Sequence, residues 1–305
     1  SASLLLPKFL RGGNEQAMAF MDKLALQGTK GKRLVVIQFS GGNDGLNTIV
    51  PFGDDLYYSG RPTLGLKGME LIKIDQHMAF NSALQGLADL HDKGEAALMN
   101  AVGYPNPNRS HFRSMDIWHS ASDENEYLAS GWIGRWLDAT CDPKQVKPHM
   151  ALEVDENLSL ALKGEKIHGL AMRNPCRLEL ITKDPVIRSI GEEWSAHDDD
   201  HHNVEYLHKT VAEVSKSADY LHEHLFKHKS KAIYPANEFG KQMKLIAELI
   251  LADCETPVYY VSLPGFDTHA AQKDHQNKHL RWYGDALKAF AQDLKEAGLW
   301  NDTLV

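Results

Sequence analysis

The sequence predicts an α/β protein in three layers, with a mainly parallel sheet between helices and a cap-like insertion. Two observations predict it. Leu34–Phe39, Glu95–Val102 and Val258–Leu263 are apolar runs that read as strands, the first and last without the alternation of a half-exposed strand. Stretches with helical apolar spacing separate them, and strands alternating with helices build parallel sheets covered on both faces. A chain of 305 residues holds one large α/β domain with an insertion, or two modest domains.

Taken in order, Ser1–Leu10 is apolar but broken at Pro7, the trailing end of a cleaved export signal or an expression remnant. Leu34–Phe39 follows basic residues and runs into Gly41-Gly42, which reads as a fully buried parallel strand. Phe80, Leu84, Leu87 and Leu90 have helical spacing, so Phe80–Lys93 is expected to be a helix stopped by Gly94. Glu95–Val102 is the next strand, and Ser110–Ala121 and Trp132–Ala139 read as helices. From about Cys141 to Asn237 the pattern changes. Short β-like pieces at Met150–Val154 and Lys166–Met172 precede a polar helical stretch, Val204–His228. Lacking the buried-strand signature, this region reads as an insertion laid over the sheet. Val258–Leu263 is a buried strand, His279–Ala297 a long amphipathic helix and Thr303–Val305 the opening of a last strand.

Composition excludes several classes. A net charge of −8 leaves no general basic face for nucleic acid. No apolar run reaches the roughly 18 residues that span a bilayer. Cys141, Cys176 and Cys254 are far apart, with no Cys-x-x-Cys pair, so they imply neither a zinc site nor a disulfide scaffold. One disulfide plus a free thiol and three buried thiols both remain open. The patch His197-Asp-Asp-Asp-His201-His202 reads as a solvated loop, since nothing rigid would position it around an ion.

The chemistry is expected beyond the carboxyl ends of the strands, where open parallel sheets bind ligands. The first strand runs into Ser40-Gly-Gly-Asn43-Asp44, the second towards Ser110, the third into Asp267-Thr268-His269 and then His275 and His279. Asp44, Ser110, Asp267 and His269 should therefore converge on one edge, with carboxylates and imidazole suited to a divalent ion. Each also has a plainer reading. Gly-Gly-Asn-Asp-Gly is a good turn, and Asp267 could cap the following helix. His275 and His279 share a helix face whether or not they hold metal. Asn108 or Ser110 could simply cap a helix, although Arg109, His111 and Arg113 beside Ser110 are what an oxyanion would meet. Between Ser110 and Ser114, the former sits at the loop-to-helix junction and the latter one turn inside, where its hydroxyl can bond back to a carbonyl.

Leu34–Pro51, Gly103–Trp118 and Leu263–His269 resemble the bacterial family called domain of unknown function 1501, placed in the alkaline-phosphatase and sulfatase-like superfamily. The resemblance covers Arg33 to Val305 and implies a three-layer alkaline-phosphatase-like domain over 33–305, with an insertion at roughly 141–237. Residues 1–32 would be an arm or the remnant of a twin-arginine export signal, so the resemblance implies a periplasmic or otherwise exported bacterial protein. It implies a metal-dependent hydrolase of phosphate or sulfate esters, acting on a small molecule or glycan. Ser110 would be the nucleophile, Asp44, Asp267, His269 and His275 the metal ligands, and Asn43, Arg109, His111 and Arg113 the groups that bind the oxyanion. The metal would be zinc first, then manganese, calcium or magnesium. Relatives draw further ligands from sequence beyond the strand at Thr303, so the C-terminal part of the fold is expected to be missing after Val305. Cys141-Asp-Pro-Lys-Gln lacks the Ser-Arg needed for formylglycine, which disfavours that sulfatase chemistry. An alternative from another class is a non-catalytic extracytoplasmic protein that holds an anionic ligand on the same fold; a third is a structural surface protein.

Overall fold

The computed structural model describes residues 31–141, 147–192 and 202–305. In chain order the strands are β1 (Arg33–Phe39), β2 (Ile49–Val50), β3 (Leu71–Lys73), β4 (Ala79–Asn81), β5 (Ala151–Glu153), β6 (Leu170–Ala171), β7 (Val258–Leu263) and β8 (Thr303–Leu304). Five of them form one parallel sheet in the order β6-β5-β7-β1-β8, and β2-β4-β3 form a small antiparallel sheet. The helices are α1 (Asp55–Gly60), α2 (Gln85–His91), α3 (His111–Ser120), α4 (Trp132–Thr140), α5 (Pro175–Thr182), α6 (Pro185–Glu192), α7 (His202–Leu225), α8 (Glu238–Leu251) and α9 (Gln272–Glu296).

Alternation along the strands divides the core, because successive side chains leave a strand on opposite faces. On one face Leu34, Val36, Val258, Tyr260 and Ala151 pack with Ile133 and Leu137 of α4. On the other, Val35, Ile37, Phe39, Tyr259, Val261, Leu263 and Leu152 pack with α8, α9 and Leu221 of α7. The sheet is therefore covered by helices on both sides. β1 and β7 pair over six positions, from Leu34 with Val258 to Phe39 with Leu263, and this ladder fixes where their exits meet.

The structure departs from the sequence reading in several places. Val35 is buried, but the rest of β1 is only half-buried, since its outer neighbour β8 has two residues. Phe80 belongs to β4, not to a helix. Asn81 ends that strand by accepting from the Ala83 N–H, and α2 runs only from Gln85 to His91, followed by a turn to Gly94 with φ +71°. Glu95–Val102 is not a strand: Met99 and Val102 are exposed, Glu95 pairs with Lys295, and Ala96 packs against Leu90, Leu287 and Ala291. Among the described residues no strand pairs with that run, and without a partner ladder its backbone cannot form one. The stretch read as an insertion contributes β5 and β6 to the main sheet, so that part is not laid over it. α9 begins at Gln272 rather than His279. All three cysteines are free thiols. Residues 1–30, most of the His197–His202 patch, and Asp142 to Val146 lie outside the described residues.

Candidate functional site

Because β1 and β7 are parallel neighbours, Ser40–Asp44 and Pro264–His269 leave the sheet at the same edge. Two backbone bonds extend the pairing, from Ser40 N–H to Leu263 O at 3.0 Å and from Phe266 N–H to Ser40 O at 3.3 Å. The exits touch closely enough to require glycine. A Cβ at Gly41 (φ +104°) would fall 2.8 Å from the Asp267 nitrogen, and one at Gly42 (φ +91°) would fall 2.7 Å from Cε1 of His111.

His111 arrives from the N-terminus of α3. Ser110 is the N-cap: its Oγ accepts from the Arg113 N–H at 3.5 Å, and its own N–H donates to Asn108 Oδ1 at 2.8 Å. Asp267 Oδ1 then stands 3.3 Å from His111 Nε2 and 3.0 Å from His269 Nε2. The three side chains are open to solvent, His269 most of all at 87% exposure. Sequence reasoning thus placed Ser110, Asp267 and His269 at one edge, where the structure also has them.

Asp44 is at this edge but is engaged elsewhere. Its Oδ2 takes Nη1 of Arg61 and Nε2 of Gln272, each at 2.5 Å, and its side chain is only 13% exposed. Its carbonyl accepts from Gln276 Nε2 at 2.8 Å. Asn43 Oδ1 is used in the same network, accepting from Thr48 Oγ1 at 3.0 Å and Gln276 Nε2 at 3.4 Å. Arg113 is not free for an oxyanion either. Its Nη2 donates to the carbonyls of Glu124 at 2.9 Å and Glu126 at 2.6 Å, and its guanidinium lies 3.9 Å from the Tyr127 ring centroid. Arg109 is exposed. His275 is exposed in the first turn of α9, and it is its carbonyl that is used, accepting from His279 Nδ1 at 2.6 Å. Asp267 is not a helix cap, since Ala271 holds that position. Ser114 donates to Asn108 O at 2.8 Å and meets the Tyr104 hydroxyl at 2.9 Å.

Over residues 31–305 the sequence matches the family described as Protein of unknown function (DUF1501). The chain belongs to this family. No curated protein and no solved structure matches it.

Among the described residues of this DUF1501 member, no three His, Cys, Asp or Glu side chains are arranged to hold a metal ion. His111 and His269 meet one carboxylate oxygen without enclosing a common centre. Behind them lies a polar group the sequence reading did not single out. Gln38 Oε1 accepts from the Tyr260 hydroxyl at 2.8 Å and from His119 Nε2 at 3.0 Å, and Nε2 is 3.2 Å from that hydroxyl. Burial holds His119 below the ordinary histidine range, against an opposing pull from Asp116. Glu153 ends β5 in register with Tyr260, and burial pushes its carboxyl up to about 7 although it accepts the Ser159 N–H at 2.6 Å. A signal for both existed: Gln38 in Val-Val-Ile-Gln-Phe and Glu153 in Ala-Leu-Glu-Val are polar residues inside apolar strand runs. A cavity of about 460 Å³ lined by Lys231, Tyr234, Pro235, Asp285, Lys288 and Gln292 shares no residue with this edge.

Proposed function

We propose that this protein is a metal-dependent hydrolase of phosphate or sulfate esters on an alkaline-phosphatase-like fold, with Ser110 as nucleophile. Exported, periplasmic action on a small molecule or glycan ester belongs to the same reading, which the family resemblance motivates. One observation carries it: Asp267 Oδ1 meets His111 Nε2 and His269 Nε2 at 3.3 and 3.0 Å, beside the N-cap Ser110.

The donor set suits zinc, whose ligand atoms at about 2.0–2.1 Å from the ion stand roughly 3.3 Å apart in a tetrahedron. Both imidazoles are exposed enough to turn onto a shared centre. Asp267, His269 and His111 would hold the ion, which would supply a Lewis acid and make the serine hydroxyl easier to ionise. Asp44 and His275 fall out of the ligand set, the first because Arg61 and Gln272 occupy its carboxylate, the second because its ring takes no part in the cluster. Ser110 Oγ sits at the positive end of α3, which favours its oxyanion. It would attack phosphorus or sulfur as the alkoxide leaves, the Oγ proton returning to that oxygen through water. A second water would then release the acid from Ser110. Of the groups expected to bind the oxyanion, Arg109 and His111 are exposed, and Arg109 is the one outside this ligand set.

Zinc titration by calorimetry, with turnover of p-nitrophenyl phosphate and sulfate, tests the reading. Stoichiometric uptake is expected, lost in Asp267→Asn and His269→Ala but kept in Asp44→Asn. Turnover should vanish in Ser110→Ala. No uptake by the wild-type protein would overturn it and favour the alternative, a non-catalytic protein for an anionic ligand. That alternative draws on the Asp44–Arg61 pair, which removes one carboxylate from metal chemistry.

A further inference from the structure

We infer that His119, locked to Gln38 and Tyr260, is a positioning residue that holds His111 against Asp267. The inference rests on the reading above that His111 works with Asp267 and His269.

The geometry is a ladder between a helix and a strand. His111, Met115 and His119 are four residues apart, so they form one stripe along α3. Gln38 and Ser40 are two apart at the end of β1 and its first exit residue, so they share one side, and Gly42 follows through glycine backbone at φ +104° and +91°. The stripes meet at three rungs. His111 Cε1 lies over Gly42, Ser40 Oγ faces Met115 Sδ at 3.7 Å, and His119 Nε2 meets Gln38 Oε1 at 3.0 Å. Four helical residues rise about 6.0 Å. Two strand residues rise about 6.6 Å. The near-match keeps the Met115 and His119 rungs in step while the helix runs antiparallel to the strand, and the glycine exit brings Gly42 under His111.

The three rungs do different work. Met115 against Ser40 is a soft contact that tolerates small slides and rotations. Gly42 offers no side chain at all, so it admits His111 without holding it. Only the His119 rung has direction. Gln38 Oε1 can only accept, so in this pairing Nε2 carries the proton, and the Tyr260 hydroxyl donates to the same oxygen from the neighbouring strand β7. His119 is 8% exposed and Tyr260 3%, so breaking this node would leave buried polar groups unpaired. A slip of one residue would turn α3 by about 100° and carry the His111 ring off Gly42. β7 supplies both Tyr260 to the lock and, at its exit, Asp267 to the site. The lock therefore ties His111 to the strand that delivers its partner. His119 itself touches no reacting group; it acts through α3.

The test uses the full chain with His119→Leu, His119→Gln and Tyr260→Phe. The readouts are the NOE from His111 Hε1 to the Gly42 α protons, and zinc affinity by calorimetry, with circular dichroism as the check on folding. The Gln38-directed N–H is absent in the leucine variant and restored by the glutamine amide. The leucine variant should lose the NOE and bind zinc about 10–100-fold more weakly, as loss of supporting groups does. The glutamine variant should recover both to within a few-fold. A leucine variant with the NOE and affinity intact would overturn the inference, as would a folded glutamine variant that recovers neither. Should the leucine variant not fold, Tyr260→Phe decides, since it removes one hydroxyl: a weakened NOE supports the lock, and an unchanged one overturns it. Wild-type protein that takes up no zinc would defeat the hydrolase reading, and the NOE series alone would then judge the positioning role.

Discussion

Replacing Glu153 with glutamine should stabilise the protein at alkaline pH and do nothing comparable in acid. Glu153 is 3% exposed at the end of β5, and burial lifts its carboxyl from 4.5 to about 7, with Asp155 adding to the rise and Ser159 and Lys163 opposing it. In the unfolded chain the group ionises near its ordinary value. Between those two values the folded state binds the extra proton, so stability from the protonated acid is complete below about pH 4.5 and is lost as pH rises through 7. A difference of about 2.5 pH units at 1.36 kcal/mol each is roughly 3 kcal/mol. Glutamine can still accept the Ser159 N–H, and any misfit of its amide is a constant offset at every pH. The decisive quantity is therefore the change with pH in the gap between variant and wild type. Thermal melts from pH 4 to pH 9 should show that gap growing by about 3 kcal/mol, or about 6 °C for a domain of this size. A gap that stays flat would refute the argument that burial outweighs Lys163 and the Ser159 hydrogen bonds at this carboxyl.

Three further outcomes follow from other sites. His149, stacked on Tyr220 at 4.4 Å with Nδ1 3.1 Å from Ser217 Oγ, is lowered to about 4, first by burial and then by Lys147. Its neutral form stabilises above pH 6.5 and that contribution is lost as pH falls towards 4, so His149→Phe should flatten acid unfolding in this window by about 3 kcal/mol. Asp293 accepts from Ser230 Oγ at 2.6 Å, Tyr234 OH at 2.9 Å, Ala232 N at 3.2 Å and Lys231 N at 3.3 Å. Asp293→Ala should cost about 3–5 kcal/mol in urea unfolding, since it strands several buried donors, and Asp293→Asn distinctly less; equal losses would contradict this. Gly42→Ala should cost about 1–3 kcal/mol from its positive φ and weaken zinc binding by displacing His111, which calorimetry would show.

The long strands were legible because their signal is local. Val258–Leu263 and the core of β1 are apolar runs ended by glycine, and such runs fit a parallel sheet covered by helices on both faces. α3 was legible through its N-cap, since Ser110 marks the boundary by chemistry rather than by periodicity. β5 and β6 have three and two residues, too few for any period to appear, so they were read as part of a cap. Phe80 shows the limit from the other side. Its spacing to Leu84 fits a helix, but the Asn81 side chain captures the Ala83 N–H and breaks the run in two.

The site divides on the same line. Asp267, His269 and Ser110 could be placed at one edge because each follows directly from a local strand exit or helix start. What Asp44 and Arg113 do could not, because it depends on partners their own segments do not name. Asp44 is paired with the Arg61 guanidinium, 17 residues on, and accepts from the Gln272 amide, 228 residues on. Arg113 spends its donors on carbonyls after the end of α3. A charged residue beside a glycine turn looks the same in sequence whether it waits for a ligand or is paired within the fold. Glycines are more telling when two stand together. Gly-Gly-Asn-Asp-Gly read as a turn, and the structure has a bend at Gly41 with both glycines at positive φ. Asp267 closes in on Gly41 and His111 on Gly42, so the pair marks where the exits of β1 and β7 meet the start of α3.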